Sequence, residues 1–135
     1  IVGKPISSAP DGVVYEHEIG SDADGQAIVS SFTTGDAQLS EGQDIMFVDW
    51  VLPDMKWKRL TGSTQPASVE LTFYSKYYPN DTPQVHGPFI MTETTPYISP
   101  RIRGRLISMR GESSDLGTWW RLGGLRVRMA PDGRL

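Results

Sequence analysis

His17 and His86 are the only histidines in this sequence, so they bound what acid–base chemistry near neutral pH the chain can do unaided. A nucleophilic triad would hold one of them between a serine and a carboxylate. No Gly-x-Ser-x-Gly elbow supplies such a serine. His17, between Glu16 and Glu18, reads as a strand residue and His86 as a loop residue. Asp22-Ala-Asp24-Gly25 begins like a calcium loop, where carboxylates surround a glycine-assisted turn, but the later acidic ligands of such a loop are missing. It reads as a plain Asp/Gly turn. Asn80-Asp-Thr82 fits a glycosylation sequon and also reads as a turn. Paired carboxylates for glycoside cleavage come from separate strands, and spacing does not locate them. The residues point to a non-enzymatic chain that needs no cofactor and no metal.

Recognition chemistry is better represented than catalysis. Arg101, Arg103 and Arg105 alternate with Ile102, Gly104 and Leu106, which puts three guanidiniums on one face of a strand. Such a row can fork onto carboxylates, for example an acidic turn carrying Asp22 and Asp24, or form a positive lining for DNA. A sequence pI near 5.3 favours the carboxylates, because nucleic-acid binding domains are usually basic. Trp119 and Trp120 are adjacent, so on a strand they face opposite ways, and Arg121 follows them. Exposed Trp and Tyr rings could also serve a carbohydrate-binding β-sandwich, which is the alternative reading. The candidate interface residues are therefore Arg101, Arg103, Arg105, Asp22, Asp24, Trp119, Trp120 and Arg121.

The elements that would position these residues are strands. Gly and Pro separate short runs of β-branched and aromatic residues, and helical periodicity is nearly absent. Val13 to Glu18 and Ala27 to Thr33 read as a hairpin around the Gly20 to Gly25 turn. Ile45 to Leu52 is apolar on both faces except at Asp49, and is expected to stop at Pro53. Val69 to Tyr77 alternates, with Val69, Leu71, Phe73 and Tyr77 on one face. After a turn at Tyr78 to Pro83 come Phe89 to Thr92, Ile102 to Arg110 with a bulge or close approach at Gly104, and Trp119 to Met129 with a bend at Gly123-Gly124. About seven strands at hairpin spacing predict an all-β fold, an antiparallel two-sheet β-sandwich, with a partly open β-barrel as the alternative.

The 135 residues suit a single domain, 1–135. With no cysteine, disulfides and thiolate metal sites are excluded, which fits assembly in a cytosol. No apolar run approaches the ~20 residues that would span a bilayer as a helix, so no membrane partner is expected. The opening Ile1-Val-Gly resembles a mature trypsin-like N-terminus, but the length and the missing glycine-framed serine exclude that class. A chain starting at Ile1 is expected to be part of something longer. Residues 1 to 55 hold ten acidic side chains against the single basic Lys4, while the rest hold six against twelve. Such polarity suits either neighbouring strands within one fold or complementary patches on neighbouring subunits.

One ordered set of motifs carries a further expectation. Gly87-Pro-Phe89, Arg101-Ile-Arg-Gly-Arg105, Gly111-Glu-Ser-Ser114, Leu116-Gly-Thr-Trp-Trp-Arg-Leu-Gly123 and Met129-Ala-Pro-Asp-Gly-Arg134 follow Tyr15-Glu-His-Glu18, Ala27 to Gly35 and Met46 to Asp54. Together they resemble the C-terminal region of tail-hub or nozzle proteins of short-tailed bacteriophages, the packaged-DNA stabilisation type. The resemblance implies the C-terminal module of a longer virion protein, with a β-rich body ahead of it. It also implies a homo-oligomeric ring beside portal-adaptor and other tail proteins, lining or closing the DNA exit channel with at most non-specific DNA contact. The implied location is the virion tail, reached from the host cytoplasm during assembly. No catalytic residue is implied. On this reading Arg103→Ala weakens assembly or folding and leaves the isolated domain without DNA affinity.

Overall fold

The computed structural model describes residues 3–59 and 67–134, with Arg59 described through its backbone alone. Among them there is no helix, and the strands are β1 (Ile6–Ser8), β2 (Val14–Glu16), β3 (Asp22–Ala23), β4 (Gln26–Ala27), β5 (Ser30–Thr33) and β6 (Ala37–Gln38). They continue with β7 (Asp44–Arg59), β8 (Ser68–Lys76), β9 (Gln84–Thr92), β10 (Ile102–Gly104), β11 (Leu106–Ser113) and β12 (Thr118–Arg134).

Two antiparallel sheets form the body. One runs β10-β7-β12; the other runs β5-β11-β8-β9, with β6 pairing beside β5 on the same side of β11. Neither closes into a barrel. They share one core: Val48, Val51 and Ile102 from the first sheet meet Val69, Leu71, Phe73, Met91 and Met109 from the second, and Ile98 joins them. The expected alternation of β8 is observed, with Val69, Leu71, Phe73 and Ser75 buried; the strand ends at Lys76, and Tyr77 just beyond it is half-buried.

The chain changes sheet at Arg105, between β10 and β11, so the predicted single strand from Ile102 to Arg110 is two. Gly104 makes this crossing possible. A Cβ there would lie 3.1 Å from the Ser75 Cβ and 3.3 Å from the Lys76 carbonyl oxygen. Arg105 ties the corner down: its N–H donates to the Lys76 carbonyl and its own carbonyl accepts from Leu39 N–H, each at 3.0 Å.

Contrary to expectation, β7 does not stop at Pro53. Val51 exchanges both backbone hydrogen bonds with Ile98, on the side of β7 away from β12. Two residues on, Pro53 faces that same side, so its missing N–H leaves the β12 ladder intact. The ladder has a bulge where Gly123-Gly124 lie between the Leu122 and Leu125 pairings, and another at Asp49, between the pairs Trp50↔Arg128 and Val48↔Met129.

The predicted hairpin between Val13–Glu18 and Ala27–Thr33 is absent. β2 pairs with β1, β3 with β4, and β5 crosses to β11. From residue 3 to residue 29 no side chain is buried. This acidic arm is bonded to itself: Ala9 N–H donates to Val13 O at 3.0 Å, His17 N–H to Pro5 O at 2.7 Å, and Gly25 N–H to Asp22 Oδ1 at 2.9 Å.

Candidate functional site

Residues opposite each other across a ladder share a face. Along β7 and β12, the pairs Val51↔Val127, Pro53↔Leu125, Met55↔Leu122 and Trp57↔Trp120 look toward the second sheet. The pairs Trp50↔Arg128, Leu52↔Arg126, Lys56↔Arg121 and Lys58↔Trp119 therefore look outward. The result is an outer face with a row of cations and an exposed Trp119, together with Asp54 and the Trp50–Tyr97 ring pair at 6.0 Å.

The two ends of this face differ. At one end three arginines meet carboxylates. Arg128 forks onto Asp49 through Nε at 2.9 Å and Nη2 at 2.6 Å, and Arg134 approaches Asp44 at 3.7 Å. Arg103, on the outer side of β10, donates from Nε to the Asp132 carboxylate and from Nη2 to the Asp132 carbonyl at 2.9 Å. The Asp49 bulge explains the polar break in an apolar run: the extra residue reaches its arginine, whose hydrogen bonds hold the Asp49 carboxyl below the usual range. At the other end, among the described residues, Lys56, Lys58, Arg121 and Arg126 have no ion pair, and Glu93 borders the cleft between Lys58 and Trp119. Like charges directly opposite, as in Lys56↔Arg121, weaken a strand pair, so this end is a natural seat for an anion.

The expected arginine row is resolved into three separate roles. Arg101 precedes β10, exposed and with a φ of 50°. Arg103 sits in the ion pair with Asp132, and not on Asp22 or Asp24. Arg105 turns inward, donating from Nη1 to the Gly42 carbonyl at 3.1 Å, with its guanidinium 5.6 Å from the Tyr78 ring centroid and its Nε buried. Asp22 spends one oxygen capping its own turn, and Asp24, at a φ of 53°, is part of that turn. Trp119 and Trp120 do face opposite ways. Trp120 packs on Phe32 at 5.6 Å and donates from Nε1 to Ser30 Oγ at 2.8 Å, while Trp119 joins Arg121 outside. Lys56 and Lys58 were missed, although the alternation Met55-Lys-Trp-Lys58 carries their signal.

Both histidines bond a serine, Ser7 to His17 at 2.5 Å and Ser75 to His86 at 2.9 Å. His86 lies within β9 rather than in a loop. Ser75 is buried and, among the described hydrogen bonds, neither imidazole meets a carboxylate, so neither pair is built as a triad. Burial holds His86 below the usual imidazole range. Among the described residues no group of three or more His, Asp or Glu side chains converges as a metal site. The Tyr78–Asp81 turn is closed by Asp81 N–H to Tyr78 O at 3.1 Å and Tyr78 N–H to the Asp81 carboxylate at 2.9 Å. A comparison with protein-family models and with curated protein sequences finds no match to this chain.

Proposed function

We propose that this chain is a structural module of a short-tailed bacteriophage tail hub or nozzle, acting through subunit assembly around the DNA exit channel rather than through catalysis. The ordered motifs described above support the family. The observation that carries the mechanical role is the separation of charge and burial. An acidic arm that contributes nothing to its own core lies beside a sandwich whose outer face holds Lys56, Lys58, Arg121 and Arg126, unpaired among the described residues. A closed ring needs two different complementary surfaces on each protomer, and these two meet that need. Cations facing a channel would touch passing DNA only through phosphates, weakly and with steep salt dependence. The test is mass photometry of the full-length protein, alone and with its portal partner. Discrete ring masses are expected, and a strict monomer in both conditions contradicts the reading.

One observation favours a second reading, carbohydrate binding. Trp119 borders a shallow cleft of about 370 Å³ with Met55, Trp57, Lys58 and Glu93, which offers a ring face beside polar groups. Sugar-dependent tryptophan quenching that disappears in Trp119→Ala would replace the ring hypothesis with this one.

A further inference from the structure

Trp119 is the exposed one of the four tryptophans, and it stands between two clefts of different character. On one side is the shallow cleft of about 370 Å³ that it shares with Lys56, Lys58 and Glu93. On the other is a cleft of about 650 Å³, where the hydroxyl residues Ser21, Ser30, Ser31 and Thr118 accompany the rings of Phe32 and Trp120. No charged side chain lines this second cleft among the described residues. An indole reachable from both sides makes a ridge, and a ligand that crosses it meets hydroxyls on one flank and cations on the other.

The strand register fixes how those cations are arranged. Lys58 is directly opposite Trp119, which brings their Cβ atoms to about 5 Å, and the pair Lys56↔Arg121 follows about 7 Å along the same face. Asp54 shares this face and Glu93 borders the cleft, yet neither forms an ion pair with the three cations among the described residues. Three cations therefore outnumber two carboxylates, and the field at the ridge favours an anion. The two flanks together define one ligand, uncharged and hydroxylated over one stretch, with a flat apolar face for the indole, and anionic over the next. A nucleic-acid strand carries a phosphate on every residue and would bring charge into the uncharged cleft as well. An acidic peptide presents carboxylates without a hydroxylated ring.

We propose that this ridge seats an acidic oligosaccharide in which uronate and neutral sugars adjoin. One sugar ring lies on the Trp119 indole, its neutral neighbour enters the hydroxyl-lined cleft, and a uronate carboxylate meets Lys58, Lys56 and Arg121. Glu93 accepts hydrogen bonds from sugar hydroxyls on the cation side. The apolar ring face supplies the contact with the indole, and the ion pairs select the acidic sugar over a neutral one. The inference names the ligand class of the carbohydrate reading and rests on that reading.

The test follows tryptophan fluorescence of the full chain with uronate oligosaccharides of several backbones, each beside its carboxyl-reduced counterpart, and with an oligothymidylate of matching charge. At low salt the acidic member of at least one pair should bind about tenfold more tightly than its neutral twin, the size that two exposed ion pairs reach together. Lys56→Gln with Lys58→Gln, both exposed positions, should remove that preference, and Trp119→Ala should remove the quenching. Equal binding of acidic and neutral twins overturns the inference and leaves the carbohydrate reading standing. Quenching by no sugar overturns both. Oligothymidylate binding more tightly than any uronate assigns the ridge to nucleic acid, and a preference that survives in the lysine variant places the acid group elsewhere; either result overturns the inference.

Discussion

The arm and the body use the same kinds of residue for opposite ends. Val69, Leu71 and Ile102 are 0% exposed in the body, whereas Ile6, Val14 and Val29 in the arm are 70%, 64% and 66% exposed. Both segments have β-forming sequences and both form antiparallel pairs, yet only one set of pairs has a second layer to cover it. Apolar side chains stabilise a fold only where their surface leaves water. The body therefore accounts for the stability of the isolated chain, and the arm's apolar surface stays in water.

The largest expected effect lies in the body. Leu71→Ala removes a side chain from the shared core and should cost about 2 to 5 kcal/mol by chemical denaturation. Next comes the seam, where Gly111 lies opposite Phe32 and an added Cβ would sit 2.5 Å from the ring. Gly111→Ala should displace Phe32 from Trp120 and cost about 1 to 3 kcal/mol through overpacking, visible also in near-UV circular dichroism.

A subtler probe is pH. Because the folded His86 has a lowered pKa, the unfolded chain binds the extra proton first. Its contribution is fully present above the unfolded imidazole pKa, about 6.5, and is lost as pH falls from there through the lower folded value. His86→Gln should flatten that part of the stability–pH curve measured by urea denaturation. Smallest of all, Val14→Ser and Ile6→Ser should shift the melting behaviour of the monomer by no more than about 0.5 kcal/mol, as exposed sites do. A large loss in either would show that the arm serves its own body, and the contrast between the two regions would collapse.

How much of this could be read in the sequence depends on range. The β8 face was legible because a period of two is local: Val69, Leu71 and Phe73 declare it among themselves. So were the opposed directions of Trp119 and Trp120, the close approach at Gly104 and the irregularity at Gly123-Gly124. Pairing partners were not legible. Ser30–Thr33 looks like half of a local hairpin, yet its partner is Arg110–Ser113, and nothing within the segment names it. Pro53 misled because whether a proline ends a strand depends on which side its absent N–H would face, and that is set by Ile98 on another segment. The arginine row failed similarly: alternation was right for the exposure of Arg101 and Arg103, but Asp132 claims Arg103 while Gly42 and Tyr78 draw Arg105 inward, through contacts 27 to 63 residues away.

Hydrogen exchange followed across protein concentration tests the assembly account most directly. It predicts that backbone amides of residues 5–17 gain protection as concentration rises, while the β8 amides, already held inside the sheet, stay unchanged. Arm amides that exchange at one rate at every concentration would contradict it.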